Sequence, residues 1–199
     1  MLLKILAIYL VILVILAIFQ RSLLYFPSKD MHTPSHHGLD SFEEIELSAA
    51  DGTKTKLWQN ISGEEDRIIL FFHGNATILP HLTDWFKDLS NNGLGVAGLS
   101  YRGYGSSEGK PNEQGFYQDA RAAIEHIKQN HDISKLVLVG RSLGTGVATK
   151  MAEEYDIHSV VLISPYTSIV DVAQQTYWYF PTRYLVRDKF DSKSRMQNI

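Results

Sequence analysis

Leu136-Val137-Leu138-Val139-Gly140-Arg141-Ser142-Leu143-Gly144-Thr145-Gly146 is the stretch from which the rest of the chain is read. Its first four residues are all apolar, as a strand covered on both faces of a sheet requires. The next five fit Gly-x-Ser-x-Gly. A serine on a sharp turn between a strand and a helix stands above the sheet with its hydroxyl exposed. Side chains two positions to either side would strike the neighbouring strand and helix, so both positions are glycine. The helix that follows aims free N–H groups and its positive end at the place where an oxyanion would form. Leu143 to Tyr155 supplies that helix, with Gly146 and Ala148 small enough for close packing. The plain alternative is a turn serine. A strongly apolar strand running in and a helix opening out argue against it.

Working outward, Ile68-Ile69-Leu70-Phe71-Phe72 and Val160-Val161-Leu162-Ile163 are two more continuous apolar runs, and Gly95 to Leu99 is a fourth, thinned by glycine. Between them Leu79 to Leu89 and Glu113 to Gln129 read as helices. The second puts Phe116, Ala120, Ile124 and Ile127 on one face, with Asn112 as N-cap. Phe42 to Ser48 and Thr53 to Gln59 flank Asp51-Gly52 as a hairpin. The expected class is α/β: an antiparallel start, then βαβ units making a mostly parallel sheet between helices. Gly93-Leu94-Gly95-Val96-Ala97-Gly98 mimics a dinucleotide fingerprint. It lies between a helix and a strand, the reverse of the order such a site needs.

Composition removes several functions. The chain has 199 residues, a formal charge of -3 and no Cys. Nucleic-acid binding lacks its basic footprint. Disulfide scaffolds, thiolate metal sites and Cys nucleophiles are excluded. The 44% hydrophobic and 21% charged fractions are those of a globular chain.

Ile5 to Phe19 is a run of fifteen uncharged residues, twelve of them Ile, Leu, Val or Phe. With the four residues before it, a helix of about 28 Å results, close to the thickness of a hydrocarbon core. Ala17-Ile18-Phe19-Gln20-Arg21 offers no pair of small residues for signal cleavage. The reading is a single-pass, N-terminal membrane anchor over residues 1–24, a juxtamembrane linker over 25–41 and the α/β domain over 42–199. Lys4 and the terminal amine nearly balance Arg21 and Lys29, so the side the domain faces stays open. His32, His36 and His37 fall in the linker, which is read as solvated, with no metal site.

Two further motifs lie where strands end. His73-Gly74-Asn75-Ala76 follows the first buried strand, where a hydrolase needs its second oxyanion donor. Tyr101 to Gly109 follows the next one as a glycine-rich rim loop whose Tyr and Arg can line a pocket. Together with the anchor, Gly140 to Gly146 and Ser164-Pro165-Tyr166, these motifs resemble the α/β-hydrolase superfamily. The branch is that of the membrane-anchored serine hydrolases of the bud-emergence type, related to the serine aminopeptidase group. The resemblance spans essentially the whole chain. It implies Ser142 as nucleophile, the backbone N–H groups of Asn75 and Leu143 as oxyanion hole, and no metal or cofactor. The implied substrate is a small-molecule or lipid acyl ester, thioester or amide. Oligomeric state is not legible.

The superfamily order is Ser, then Asp or Glu, then His. After Ser142 the one histidine is His158, placed before a strand and so at the opposite end of the sheet. Asp171, Asp188 and Asp191 have no histidine after them. The expectation is therefore a hydrolase domain whose acid, base and last strands lie outside these residues. The Val160 to Ile163 strand would then be an apolar sheet edge prone to association. The alternative function is a membrane-tethered protein that binds acyl ligands or a partner without turnover. Residues 166–190 would form a cap. Its Tyr177-Trp178-Tyr179-Phe180 suits an acyl chain or a membrane interface, and ordinary helix packing equally well.

Overall fold

The computed structural model describes residues 1–29 and 32–199. It opens with the helix α1 (Leu2–Leu24), 23 residues long and apolar enough to cross a membrane by length and composition. The antiparallel pair β1 (Glu43–Ser48) and β2 (Lys54–Asn60) follows. Then come β3 (Ile68–Phe72), α2 (Thr83–Asn91), β4 (Gly95–Ser100), α3 (Glu113–Lys128), β5 (Leu136–Arg141), α4 (Leu143–Glu154) and β6 (Ser159–Ile163). Three short helices close the chain: α5 (Ile169–Thr176), α6 (Thr182–Leu185) and α7 (Ser192–Arg195).

One six-stranded sheet results, in the order β1-β2-β4-β3-β5-β6. Strands β3 to β6 pair in parallel, and β2 joins β4 antiparallel. Alternation along the central strands sorts the core into two layers. Leu70, Phe72, Leu99 and Leu138 face Phe116, Ile124, Val147 and Met151 of α3 and α4. Ile69, Phe71, Val96 and Val139 face Leu79, Leu82 and Phe86 on the other side.

The expected hairpin, the four strands and the Asn112 cap are present, with Asn112 Oδ1 accepting the Gly115 N–H at 2.8 Å. β3, β4 and β5 are buried, whereas β6 lies at the edge of the sheet with Val161 46% exposed. The stretch read as one helix from Leu79 is two. A 3₁₀ turn over Leu79–Leu82 precedes α2. Pro80 in that first turn has no N–H to offer, and the Thr83 hydroxyl donates to its carbonyl at 2.8 Å.

The segment expected as a solvated linker is partly packed on the domain. Tyr25 is buried edge-on against Phe116, with ring centroids 5.4 Å apart, and Pro34 and Leu39 are also buried. The Gly105 N–H donates to the Ser28 carbonyl at 2.7 Å. Burying an aromatic and an aliphatic side chain outweighs the freedom that a hydrated tether would keep. Asp30 and Met31 of that segment lie outside the described residues. The rings of His32, His36 and His37 pack against one another in tilted and edge-on contacts, and His37 also packs against Trp58. Among the described residues no group of three metal-ligating side chains is poised to hold an ion.

Candidate active site

Register sets the site. Phe72 of β3 is paired with Gly140 of β5, so the residues that follow both strands emerge at one edge of the sheet. The turns His73–Ala76 and Arg141–Leu143 meet there. A Cβ on Gly74 would stand 3.4 Å from Ser142 Cβ and 3.2 Å from the Arg141 carbonyl oxygen.

Ser142 is exposed and sits at φ 50°, ψ −118°, a conformation a residue with a side chain rarely adopts. Its backbone N–H is tied across to the Ile163 carbonyl of β6 at 2.9 Å, and its own carbonyl accepts the Thr145 hydroxyl at 2.7 Å. The turn is held from both sides, which is what keeps a strained serine in place. The flanking glycines behave as the spacing argued. A Cβ on Gly140 would lie 2.6 Å from the Gly144 carbonyl oxygen, and one on Gly144 would overlap the Phe72 carbonyl of β3. Leu143 opens α4, so its N–H is among the first-turn donors the helix leaves without an internal partner. The Tyr166 hydroxyl, brought by Ser164-Pro165-Tyr166, donates to the Leu143 carbonyl at 3.1 Å and braces that helix start.

The second loop is fixed by side chains. The His73 imidazole is fully buried; its Nδ1–H donates to the Gly74 carbonyl at 2.8 Å, and burial pushes its pKa down to about 4. That makes it a neutral brace of the loop. Asn75 Oδ1 accepts the Tyr104 hydroxyl at 2.7 Å and the backbone N–H of Phe26 at 3.0 Å, and its Nδ2 donates to the Leu24 carbonyl at 2.6 Å.

The rim loop Tyr101 to Gly109 does not line a pocket with free side chains. Tyr101 and Tyr104 are fully buried, stacked around His73 and Phe116. The Arg102 guanidinium is buried between Asp119, at 2.8 Å, and Asp51, at 2.7 Å. A buried cation needs such pairing, and it fastens the loop to α3 and to the β1–β2 turn. In return the Asp51 carboxyl is held well below the usual carboxylate range.

His158 is exposed, with its N–H on the Leu136 carbonyl at the far end of β5 from Ser142, as expected. Asp188 pairs with Arg21 and Tyr25, Asp191 caps α7, and Asp171 lies in the first turn of α5. Sequence reading passed over His81. It lines a cavity of about 330 Å³ with Trp85 and with Arg141 and Ser164, next to the serine turn. No spacing rule links it to Ser142, because only the sheet edge brings the two segments together.

A family model described as serine aminopeptidase, S33, matches residues 63–197. The chain belongs to that family of α/β-hydrolases. An uncharacterised Mycobacterium tuberculosis protein is 32% identical over 184 residues, covering 90% of this chain and 66% of its own length. The lysophosphatidylserine lipase ABHD12 of Gallus gallus is 31% identical over 173 residues, covering 75% of this chain and 45% of its own. This α/β-hydrolase thus spans about two thirds of the mycobacterial relative and about half of the vertebrate one. A Vibrio vulnificus α/β-hydrolase structure superimposes with a TM-score of 0.71 at 18% identity, covering 91% of this chain and 71% of that one. The fold class is therefore that of the α/β-hydrolases, with a mixed sheet and one long apolar N-terminal helix.

Proposed function

We propose that this protein is a membrane-anchored serine hydrolase that cleaves an acyl ester, thioester or amide through an acyl-enzyme on Ser142. The observation that carries the reading is the strained, exposed Ser142 at the meeting of two loops, with α4 opening directly behind it. Attack of the serine oxygen on the acyl carbon would place the oxyanion toward the Leu143 and Asn75 N–H groups. Collapse of that intermediate would break the bond to the alcohol, thiol or amine, which leaves carrying the proton given up by Ser142. Water would then hydrolyse the acyl-enzyme to the free acid and Ser142. α1 supports the single-pass anchor, with residues 25–41 as the juxtamembrane segment and 42–199 as the hydrolase domain. ABHD12, named a lysophosphatidylserine lipase, supports a lipid substrate.

Of the histidines described, His81 shares a cavity with Arg141 and Ser164 beside the serine turn, and His158 lies at the far end of β5. The second reading is acyl binding at the same loops without turnover. The experiment is reaction of the full chain, in detergent, with an alkyl fluorophosphonate and with p-nitrophenyl esters. The proposed function expects a stoichiometric adduct on Ser142 and ester turnover, both lost in Ser142→Ala. Absence of the adduct while a lipid ester still binds would establish the second reading.

A further inference from the structure

A groove of about 430 Å³ runs between α1 and the cap helices α5 and α6. That is within the roughly 300–1,000 Å³ of small-molecule pockets. Leu16, Leu24 and Phe26 form one wall; Ala173, Phe180 and Leu185 form part of the other. Several polar groups in its lining are held by hydrogen bonds within the protein. Gln20 Nε2 donates to the Leu185 carbonyl at 3.0 Å, Arg21 is paired with Asp188 at 2.8 Å, and the Thr182 hydroxyl donates to Gln174 at 2.6 Å. An occupant therefore finds a mostly apolar surface, which suits hydrocarbon.

The position of the groove identifies the source of that hydrocarbon. The cap is laid along α1 itself: Tyr9 stacks on Phe180 at 5.9 Å and its hydroxyl donates to the Tyr179 carbonyl at 3.0 Å. Tyr9 is twelve residues before Arg21, roughly 18 Å along a helix. With Arg21 at a membrane surface, that depth lies within a hydrocarbon core of about 30 Å. Trp178 beside it is 74% exposed, an aromatic with no protein cover where lipid would supply it. The inner end of the groove is Leu24 and Phe26, the two residues whose backbone Asn75 grips.

We propose that this groove holds one hydrocarbon chain of a membrane phospholipid, admitted sideways from the bilayer between α1 and the cap. The chain's acyl end points toward Asn75 and Ser142. Only that last direction rests on the hydrolase reading; the binding itself does not.

The test uses the full-length Ser142→Ala chain in phosphatidylcholine nanodiscs, with a lysophosphatidylcholine carrying a diazirine in mid-chain. Adducts are mapped by mass spectrometry after photolysis. Adducts are expected on both walls, within residues 16–26 and 169–186. Ala173→Trp should lower them at least tenfold and leave adducts on the outward-facing Ile8 and Ile15 unchanged. Ala173→Leu, a smaller intrusion, is run beside it and should lower them about threefold. Adducts confined to Ile8, Ile15 and their outward neighbours, or groove adducts indifferent to both substitutions, would overturn the proposal. Groove labelling of Ser142→Ala, with no fluorophosphonate adduct on Ser142 of the parent chain, would reject the hydrolase reading and keep the groove. A Ser142 adduct without groove labelling would do the reverse.

Discussion

Asn75 Nδ2 donates to the Leu24 carbonyl at 2.6 Å, so the loop that offers one expected oxyanion donor is tied to the last turn of α1. With the Phe26 N–H on Asn75 Oδ1, the amide brackets the chain as it leaves the helix. Asn75→Ala keeps the backbone N–H and removes both links and the Tyr104 bond. A loss of about 1–3 kcal/mol is expected, with trypsin cutting at Lys29 markedly faster. Denaturant melts and timed proteolysis check it; unchanged cleavage would show that the bracket holds nothing.

Ser142 carries backbone strain that its side chain makes costly. Ser142→Gly should relieve it, against a smaller entropic cost in the unfolded chain, for a net gain of about 1 kcal/mol. That corresponds to a Tm rise of roughly 2–4 °C for a domain of this size. Ser142→Ala, with a Cβ in the same place, should show no such rise. Equal melting temperatures for the two variants would mean the turn is unstrained.

Gly144 is pressed against the Phe72 carbonyl, backbone against backbone. Neither element can withdraw without opening the β3–β5 pairing, so Gly144→Ala is expected to cost about 3–5 kcal/mol. Loss of a cooperative melt, or a large drop in its midpoint, is the readout. A near-native melt would mean that α4 can shift away from the sheet.

Arg21 and Asp188 join α1 to the cap, and the Asp188 side chain is only 6% exposed. Arg21→Met leaves that carboxylate buried with the Tyr25 hydroxyl as its remaining hydrogen-bond donor among the described residues. The expected cost is about 2–4 kcal/mol, and the double variant Arg21→Met/Asp188→Leu should recover most of it. A double-mutant cycle measures the coupling; strictly additive losses would count against the pair.

His73 gives stability a pH dependence. Its folded pKa is about 4, below the ordinary value of 6.5, because burial disfavours the imidazolium. Between pH 6.5 and 4 the unfolded chain binds a proton that the folded chain refuses, so stability falls as pH falls. The contribution is full above pH 6.5 and declines by about 3 kcal/mol toward pH 4. His73→Gln should flatten that slope relative to the parent chain. Parallel stability curves for the two proteins from pH 7 to 4 would disprove it.

Some of this was legible in the residues alone. Runs such as Ile68 to Phe72 cannot be solvated, so they specified buried strands, and Gly140-x-Ser142-x-Gly144 specified the turn because contacts there are local to one strand, one helix and the strand beside them. α1 was equally plain, since fifteen uncharged residues admit few environments. Burial on the domain of Tyr25, Arg102 and Asp188 was not legible. Each depends on a partner far along the chain: Phe116 for Tyr25, Asp119 for Arg102, and Arg21 for Asp188. An arginine or tyrosine in a glycine-rich loop has the same local signature whether it lines a pocket or packs beneath one. His81 beside the serine turn and the groove between α1 and the cap arise only when the sheet edge and the cap bring distant segments together. Local periodicity and sterics determined the strands, the helix and the serine's turn; long-range pairing of buried polar groups decided what surrounds them.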